Sequence, residues 1–249
     1  MSDVLGRIRS TVGRSSSVRG VSDFVRPYYR KLDPWTGLSG LDRRLVAHLP
    51  TGPGFFVEAG GNDGLKQSNT FYLESRRGWR GLLVEPVPRL AQRCTKNRPR
   101  ARVIHAALVP PELAGRPVSL VDVDLMTVTT PTSDLTADQV EHVASAERAQ
   151  GIVRREVQAP GRTLSDCIDS AGLPRIDLLS LDVEGFELGV LAGLDLARHA
   201  PAWALVETRD PDAVAEVLGS AYERVDRLSE HDWLFRRNGS ADPRGEPQG

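Results

Sequence analysis

Residues 55–64 read Phe55-Phe56-Val57-Glu58-Ala59-Gly60-Gly61-Asn62-Asp63-Gly64. A short apolar run halted by glycines predicts a buried strand that ends in a tight turn. The same rhythm extends outward. Asn69–Arg77 has helical spacing, with Phe71, Tyr72 and Leu73 inward. Gly81–Glu85 is a second strand, stopped by Pro86, and Pro88–Lys96 a second helix. Arg102–Leu108, Asp177–Asp182 and Ala202–Glu207 supply three more strands, and Tyr222–Asp226 with Asp232–Arg236 reads as a closing antiparallel pair. Continuous apolar strands separated by helices indicate a mostly parallel sheet covered on both faces, the α/β class.

Size and composition agree. The chain has 249 residues, 40% hydrophobic and 26% charged, with a net charge of −1. That suits one large domain and excludes both a strongly basic nucleic-acid binder and an acidic disordered chain. No apolar run is long enough for a membrane span. Cys94 and Cys167 match no zinc spacing, and free buried thiols suit a cytoplasmic location. Residues 1–31 form a basic arm with a Ser15-Ser16-Ser17 run, similar in composition to a transit peptide. Residues 32–237 are the expected domain and 238–249 a disordered tail rich in Gly, Pro and polar residues. Residues 109–162 break the α/β rhythm, as expected of a lid or acceptor-site insertion between strands three and four. Base rates for oligomers allow a homodimer that uses the arm.

The chemistry is expected at the carboxyl ends of the strands. The loop after the first strand fails the GxGxxG fingerprint, because Asn62 and Leu65 replace glycines. Asp63 would repel a pyrophosphate, so the loop suits a cofactor without phosphates, such as S-adenosylmethionine (SAM). Glu85 stands 21 residues after Gly64, at the next strand end, where a carboxylate can hold two ribose hydroxyls. Asp182 and Glu207 end the fourth and fifth strands. They could share a hard divalent cation, with Asp210 as a third ligand. Glu184 and Glu187 read instead as first-turn helix acids.

Several stretches together resemble the FkbM-type SAM-dependent methyltransferases. Residues 56–74 (FVEAGGNDGLKQSNTFYLE) and 78–88 (GWRGLLVEPVP) are similar to the family's front half, continued by Asn97-Arg98-Pro99 and His105-Ala106-Ala107-Leu108. Thr163–Asp166, residues 176–194 (IDLLSLDVEGFELGVLAGL) and Val206-Glu207 are similar to the back half. The resemblance covers roughly residues 50–210 and implies the class I methyltransferase fold: a seven-stranded, mostly parallel, Rossmann-like sheet with an antiparallel last hairpin. It implies a cofactor loop of Glu58, Gly60, Asn62 and Gly64, a Ser68-Asn69-Thr70 element near the methionine moiety, Glu85 on the ribose, His105-Ala106 beside adenine, and Asp182 after strand four. Gly60-Gly61 replaces the family's Gly-Ala.

The resemblance implies methylation of a hydroxyl, often on a sugar or natural product. An alcohol needs a base, a metal, or both. Mg²⁺ on Asp182 and Glu207 would chelate the acceptor. His231, before the last strand, and His142, in the insertion, are the candidate bases. Three other readings compete. A nucleic-acid N-methyltransferase lacks its Asn/Asp-Pro-Pro-aromatic signature here. A non-catalytic SAM-binding or S-adenosylhomocysteine-binding scaffold stays open, as does a non-sugar acceptor. An NAD dehydrogenase is disfavoured by the broken glycine fingerprint.

Overall fold

A computed structural model describes residues 33–122, 127–130 and 155–240. The basic arm, His142, the helix expected within 137–149 and the end of the tail lie outside these residues. The chain divides into two compact units, Met1–Trp35 and Thr36–Gly249. In the first, the Trp35 amide donates to Asp33.

The second unit carries a seven-stranded sheet. Its strands are β1 (Phe55–Ala59), β2 (Arg80–Glu85), β3 (Ala101–His105), β8 (Leu178–Leu181), β9 (Trp203–Glu207), β10 (Tyr222–Arg227) and β11 (Asp232–Arg237). Their order is β10-β11-β9-β8-β1-β2-β3. From β9 to β3 all pairs are parallel, and β11 runs antiparallel to both β9 and β10. This is the class I methyltransferase fold that the resemblance implies. It arises because period-two side chains are apolar on both faces. Val57, Leu82, Leu179 and Ala204 face one layer, with Ile168, Val190 and Val214. Those last three come from α4 (Leu164–Ala171), α5 (Glu187–Ala192) and α7 (Pro211–Leu218). Phe56, Leu83, Leu178 and Leu205 alternate to the other face and are equally buried. Cys94 and Cys167 are free and buried, as expected.

The third strand departs from the sequence reading. Arg102–Leu108 was expected as one strand, but β3 stops at His105. Ala107–Leu108 (β4) leaves for a second sheet of order β4-β7-β5-β6, with β5 Pro117–Asp122, β6 Thr127–Thr130 and β7 Arg155–Arg162. Its small core of Val109, Val118, Leu120 and Ala159 explains the change, since these residues bury one another away from the main sheet. Among the described residues the insertion therefore contributes three strands, and its ends pair directly, Leu108 beside Arg162. Among the described residues, no helix is long and apolar enough to cross a membrane.

A buried ion network fixes the loop between β1 and α2 (Phe71–Arg77). Arg98 follows α3 (Pro88–Asn97) and is fully buried. Its Nε donates to Glu74 Oε2 at 2.5 Å and its Nη1 to Glu58 Oε2 at 3.1 Å. It also donates to the Gly64 carbonyl, Ser68 Oγ and Thr70 Oγ1. Its guanidinium lies 5.1 Å from the Phe56 ring centroid, a cation–π stack. Removing one partner of such a network strands a charge in the core, at about 3–5 kcal/mol. Arg98→Met is therefore expected to lower unfolding free energy by about that amount in urea titrations. A loss under about 1 kcal/mol would show the network to be dispensable.

Candidate active site

The sheet order sets five strand ends side by side: Glu207, Asp182, Gly60, Glu85 and Ala106. At about 4.8 Å per strand, the stretch from Asp182 to Ala106 spans about 14 Å. A cleft opens above it, with about 790 Å³ of non-atom space, solvent at the mouth included. Gly60, Asn62, Glu85, Ala106 and Asp182 line it, five of the nine residues expected to hold the cofactor.

Local backbone demands shape this cleft. Gly60 has φ +85°, and a Cβ there would lie 1.9 Å from the Asp182 carbonyl oxygen. Only glycine lets the β1 loop press on the end of β8. The second glycine is also tightly fitted, since a Cβ on Gly61 would meet Leu83 at 3.2 Å. The Gly60 and Gly61 amides both donate to the Val84 carbonyl at 3.1 Å. Glu85 is buried and binds the loop, accepting from the Asn62 amide at 2.7 Å and the Val87 amide at 2.9 Å. Asp63 does not face the cleft. It is buried, and its Oδ1 accepts from the Leu65 and Lys66 amides, so it builds the turn.

Four of the expected cofactor residues stand elsewhere. Glu58 and Ser68 are committed to Arg98 and to each other. Gly64 packs on Arg98 and Cys94, where a Cβ would collide with Arg98 Cγ at 2.7 Å. These three hold the loop from behind and do not line the cleft. Asn69 is buried; its Nδ2 donates to Ser180 Oγ at 3.2 Å, while its Oδ1 has no hydrogen-bond partner. Charged groups beside an apolar strand can serve a ligand or a buried counter-ion, and here the guanidinium claims them.

Three left-handed non-glycine residues line the cleft: Asn62 (φ 47°), Gln67 (φ 59°) and Glu184 (φ 56°). Such conformations cost about 1–3 kcal/mol each and gather at functional sites. Lys66 and Gln67 carried no cofactor role in the sequence reading, and Glu184 was read as a helix-turn acid. In the structure Glu184 precedes α5 and faces the cleft. Glu187 does play the helical part, accepting from the Gly185 amide at 2.8 Å.

The acids form a graded set. Burial and the neighbouring Glu207 and Glu184 carboxyls push Asp182 well above the usual carboxylate range, and it hydrogen-bonds Glu207. Burial and Asp232 raise Glu207, against the hydrogen bond from Asp182 and the nearby His231 and Arg209. Asp232 is paired with Glu207 in strand register and bonded to Ser229. Burial raises its carboxyl too. His231 thus stands close enough to act on Glu207 and Asp232, whereas His142 lies outside the described residues.

The expected Mg²⁺ trio is not assembled. Asp210 is exposed and caps α7, its Oδ1 accepting from the Ala213 amide at 3.0 Å. Among the described residues, no three His, Cys, Asp or Glu side chains are grouped to hold a metal ion. Strand-end spacing placed Asp210 near the pair, but Asp210 followed by Pro211 is a helix-start signal, and the cap prevails.

The strand order and the antiparallel last hairpin are those of the class I methyltransferase fold, and the crevice lies at its strand tips. A family model described as the methyltransferase FkbM domain matches residues 58–236, and the chain belongs to that family. No curated protein matches it at a significant level. Among solved structures, it is similar to a TehB-like SAM-dependent methyltransferase from Corynebacterium glutamicum. Identity is 15% and the TM-score 0.40, over 88% of this chain and 99% of that one. It is also similar to MtNAS in complex with MTA and tNA, at 12% identity and TM-score 0.41, over 92% of this chain and 67% of that one.

Burial and the Glu207 and Glu187 carboxyls raise Glu184 from 4.5 to about 7. A group that binds its proton more tightly when folded loses stability for the fold as pH rises from its free to its folded value. Glu184→Gln is therefore expected to raise Tm at pH 8 by on the order of 5 °C, with the gain fading as pH falls from about 7 to 4.5. A pH-independent shift in differential scanning calorimetry would contradict the assignment.

Proposed function

We propose that this chain uses SAM to methylate a hydroxyl oxygen of a polyol acceptor, a saccharide or glycosylated product. The observation that carries the reading is the hydrogen-bonded Asp182–Glu207 pair beside the Gly60–Glu85 floor of the cleft. Three features of the cleft suit the cofactor. Glu85 is a carboxylate at the β2 end, and a carboxylate has about four acceptor positions, suiting ribose hydroxyls. Asp182 and Glu184 add acidic side chains to the lining, suiting a cationic sulfonium and ammonium. Gly60 leaves the floor bare of side chain. When bound, SAM supplies an activated methyl group on a sulfonium sulfur.

The chain's own residues then orient the acceptor and take its proton. Burial and neighbouring carboxyls raise both members of the Asp182–Glu207 pair, so the pair favours one shared negative charge over two. It takes up the hydroxyl proton at a carboxylate oxygen and becomes neutral, and solvent returns it to its starting state. His231 favours the charged form of Glu207. The carboxyls of Asp182 and Glu184 at the mouth accept hydrogen bonds from hydroxyls, which supports a polyol over an apolar acceptor. With Asp210 committed to its helix cap, the Asp182–Glu207 pair lacks the third ligand expected for Mg²⁺.

Asp182→Asn and Glu207→Gln are each expected to cut methyl transfer from labelled SAM at least 100-fold, within the range of general-base losses. S-adenosylhomocysteine should still bind, by calorimetry, within a few-fold of wild type. Retained turnover in either variant, across mono- and oligosaccharide acceptors, would sink the pair's role. Activity is expected to persist after EDTA treatment. Loss on chelation with recovery on added Mg²⁺ would return the ion to the site.

A further inference from the structure

We propose that the pole of the main sheet opposite the cleft docks on an anionic lipid surface; this is independent of what the cleft binds. From residue 75 to residue 102 the chain carries nine Lys and Arg and one acid, Glu85, although its net charge is −1. Glu85 is buried at the cleft, so the outer surface of this stretch has no acid of its own. The fold gathers six of the nine cations. Strands β1, β2 and β3 are parallel, so their amino ends share one pole. Arg80 opens β2, Arg102 lies on the edge strand β3 across from Leu82, and Arg100 stands just before β3. The crossover helices return to the same pole. Arg76 and Arg77 lie in the last turn of α2, and Lys96 in the last turn of α3. All six except Arg77 are exposed. The Arg100 amide donates to Glu74 of α2 at 3.0 Å, which ties the strand and helix parts of the cluster together.

Helix dipoles explain only part of this cluster. Cations at a helix carboxyl end are stabilising, which covers Arg76, Arg77 and Lys96. That leaves Arg80, Arg100 and Arg102, which sit on or beside strands. The patch also has no apolar centre. The exposed large apolar side chains among the described residues are Leu38, Leu188 and Val217, and none falls within 75–102. A protein partner needs such a centre, whereas an anionic membrane responds to charge summed over several Lys and Arg. The composition of residues 1–31 favours lipid over nucleic acid. Seven Lys and Arg stand there against two Asp, with Leu5, Ile8, Val12 and Phe24 interspersed. Basic and apolar side chains together suit headgroups and acyl chains, and stable peripheral attachment takes two signals. The six residues of β2 put the basic pole about 16 Å from the strand tips. Docking there leaves the cleft open.

The test is co-sedimentation of the full chain with phosphatidylcholine vesicles, with and without phosphatidylglycerol. The chain is expected to bind only the vesicles that contain phosphatidylglycerol, and to release them at high salt. Combining Arg80→Gln, Lys96→Gln and Arg102→Gln is expected to weaken that binding about a hundredfold. Arg80→Lys with Arg102→Lys should bind as the wild type does, because a lipid surface reads charge and not the fork geometry of arginine. Equal binding of the wild type to both kinds of vesicle, or to neither, overturns the proposal whether or not any variant folds. Unchanged binding in the triple Gln variant also overturns it, since attachment would then belong to residues 1–31 alone. Loss of binding in the double Lys variant overturns it in favour of a specific arginine site. Binding to a duplex DNA oligonucleotide and not to anionic vesicles overturns it in favour of a nucleic-acid surface.

Discussion

The guanidinium of Arg98, sealed between Glu58 and Glu74, is the interaction on which the cleft depends. A strand, a turn and a helix meet at this one cation. Glu58 stands on β1, Ser68 and Thr70 on the loop, Glu74 on α2, and all bind Arg98 directly. The loop has little apolar surface of its own and two strained residues in its path. A network of charge-assisted bonds in a dry interior supplies the rigidity that packing cannot. The loop that bounds the cleft above then keeps its shape before any ligand arrives.

The second constraint works at the opposite wall. Asp182, Glu184 and Glu207 are crowded at the ends of β8 and β9, where burial disfavours their charges. Such a group of acids costs stability, and the proposed chemistry gives a reason for keeping it: a proton acceptor must be poised near neutrality. Rigid loop and acid wall are joined where Gly60 touches the Asp182 carbonyl. The donor floor and the proton-accepting pair therefore keep a fixed separation.

Much of this was legible in the sequence. The runs at 55–59, 81–85, 178–181 and 203–207 are apolar on both faces, and their strand identity follows from pattern alone. The place of Glu85 at the cleft was legible because spacing and strand-end position agree. Other roles were ambiguous for physical reasons. Glu58 and Ser68 have the chemistry to hold a ligand, yet also to satisfy a buried arginine 30–40 residues away, and nothing local decides between them. Asn97-Arg98-Pro99 belonged to the family resemblance, but its counter-ions could not be read from it. Glu184 looked helical because it precedes a helix, whereas its left-handed backbone is set by a turn that pattern reading does not reach. The break after His105 was hidden because Ala106-Ala107-Leu108 continues the apolar run while the chain changes sheets.

The insertion enters and leaves the fold through a single doorway. Leu108 pairs with Arg162, and the Val109 amide donates to the Arg162 carbonyl at 3.0 Å. The described strands β5 and β7 adjoin this short parallel clasp next to Leu108, a wall of the cleft. Such a segment can be exchanged as a cassette, with the central sheet blind to the swap. Under the proposed function, an exchange there would alter acceptor choice and leave donor handling constant.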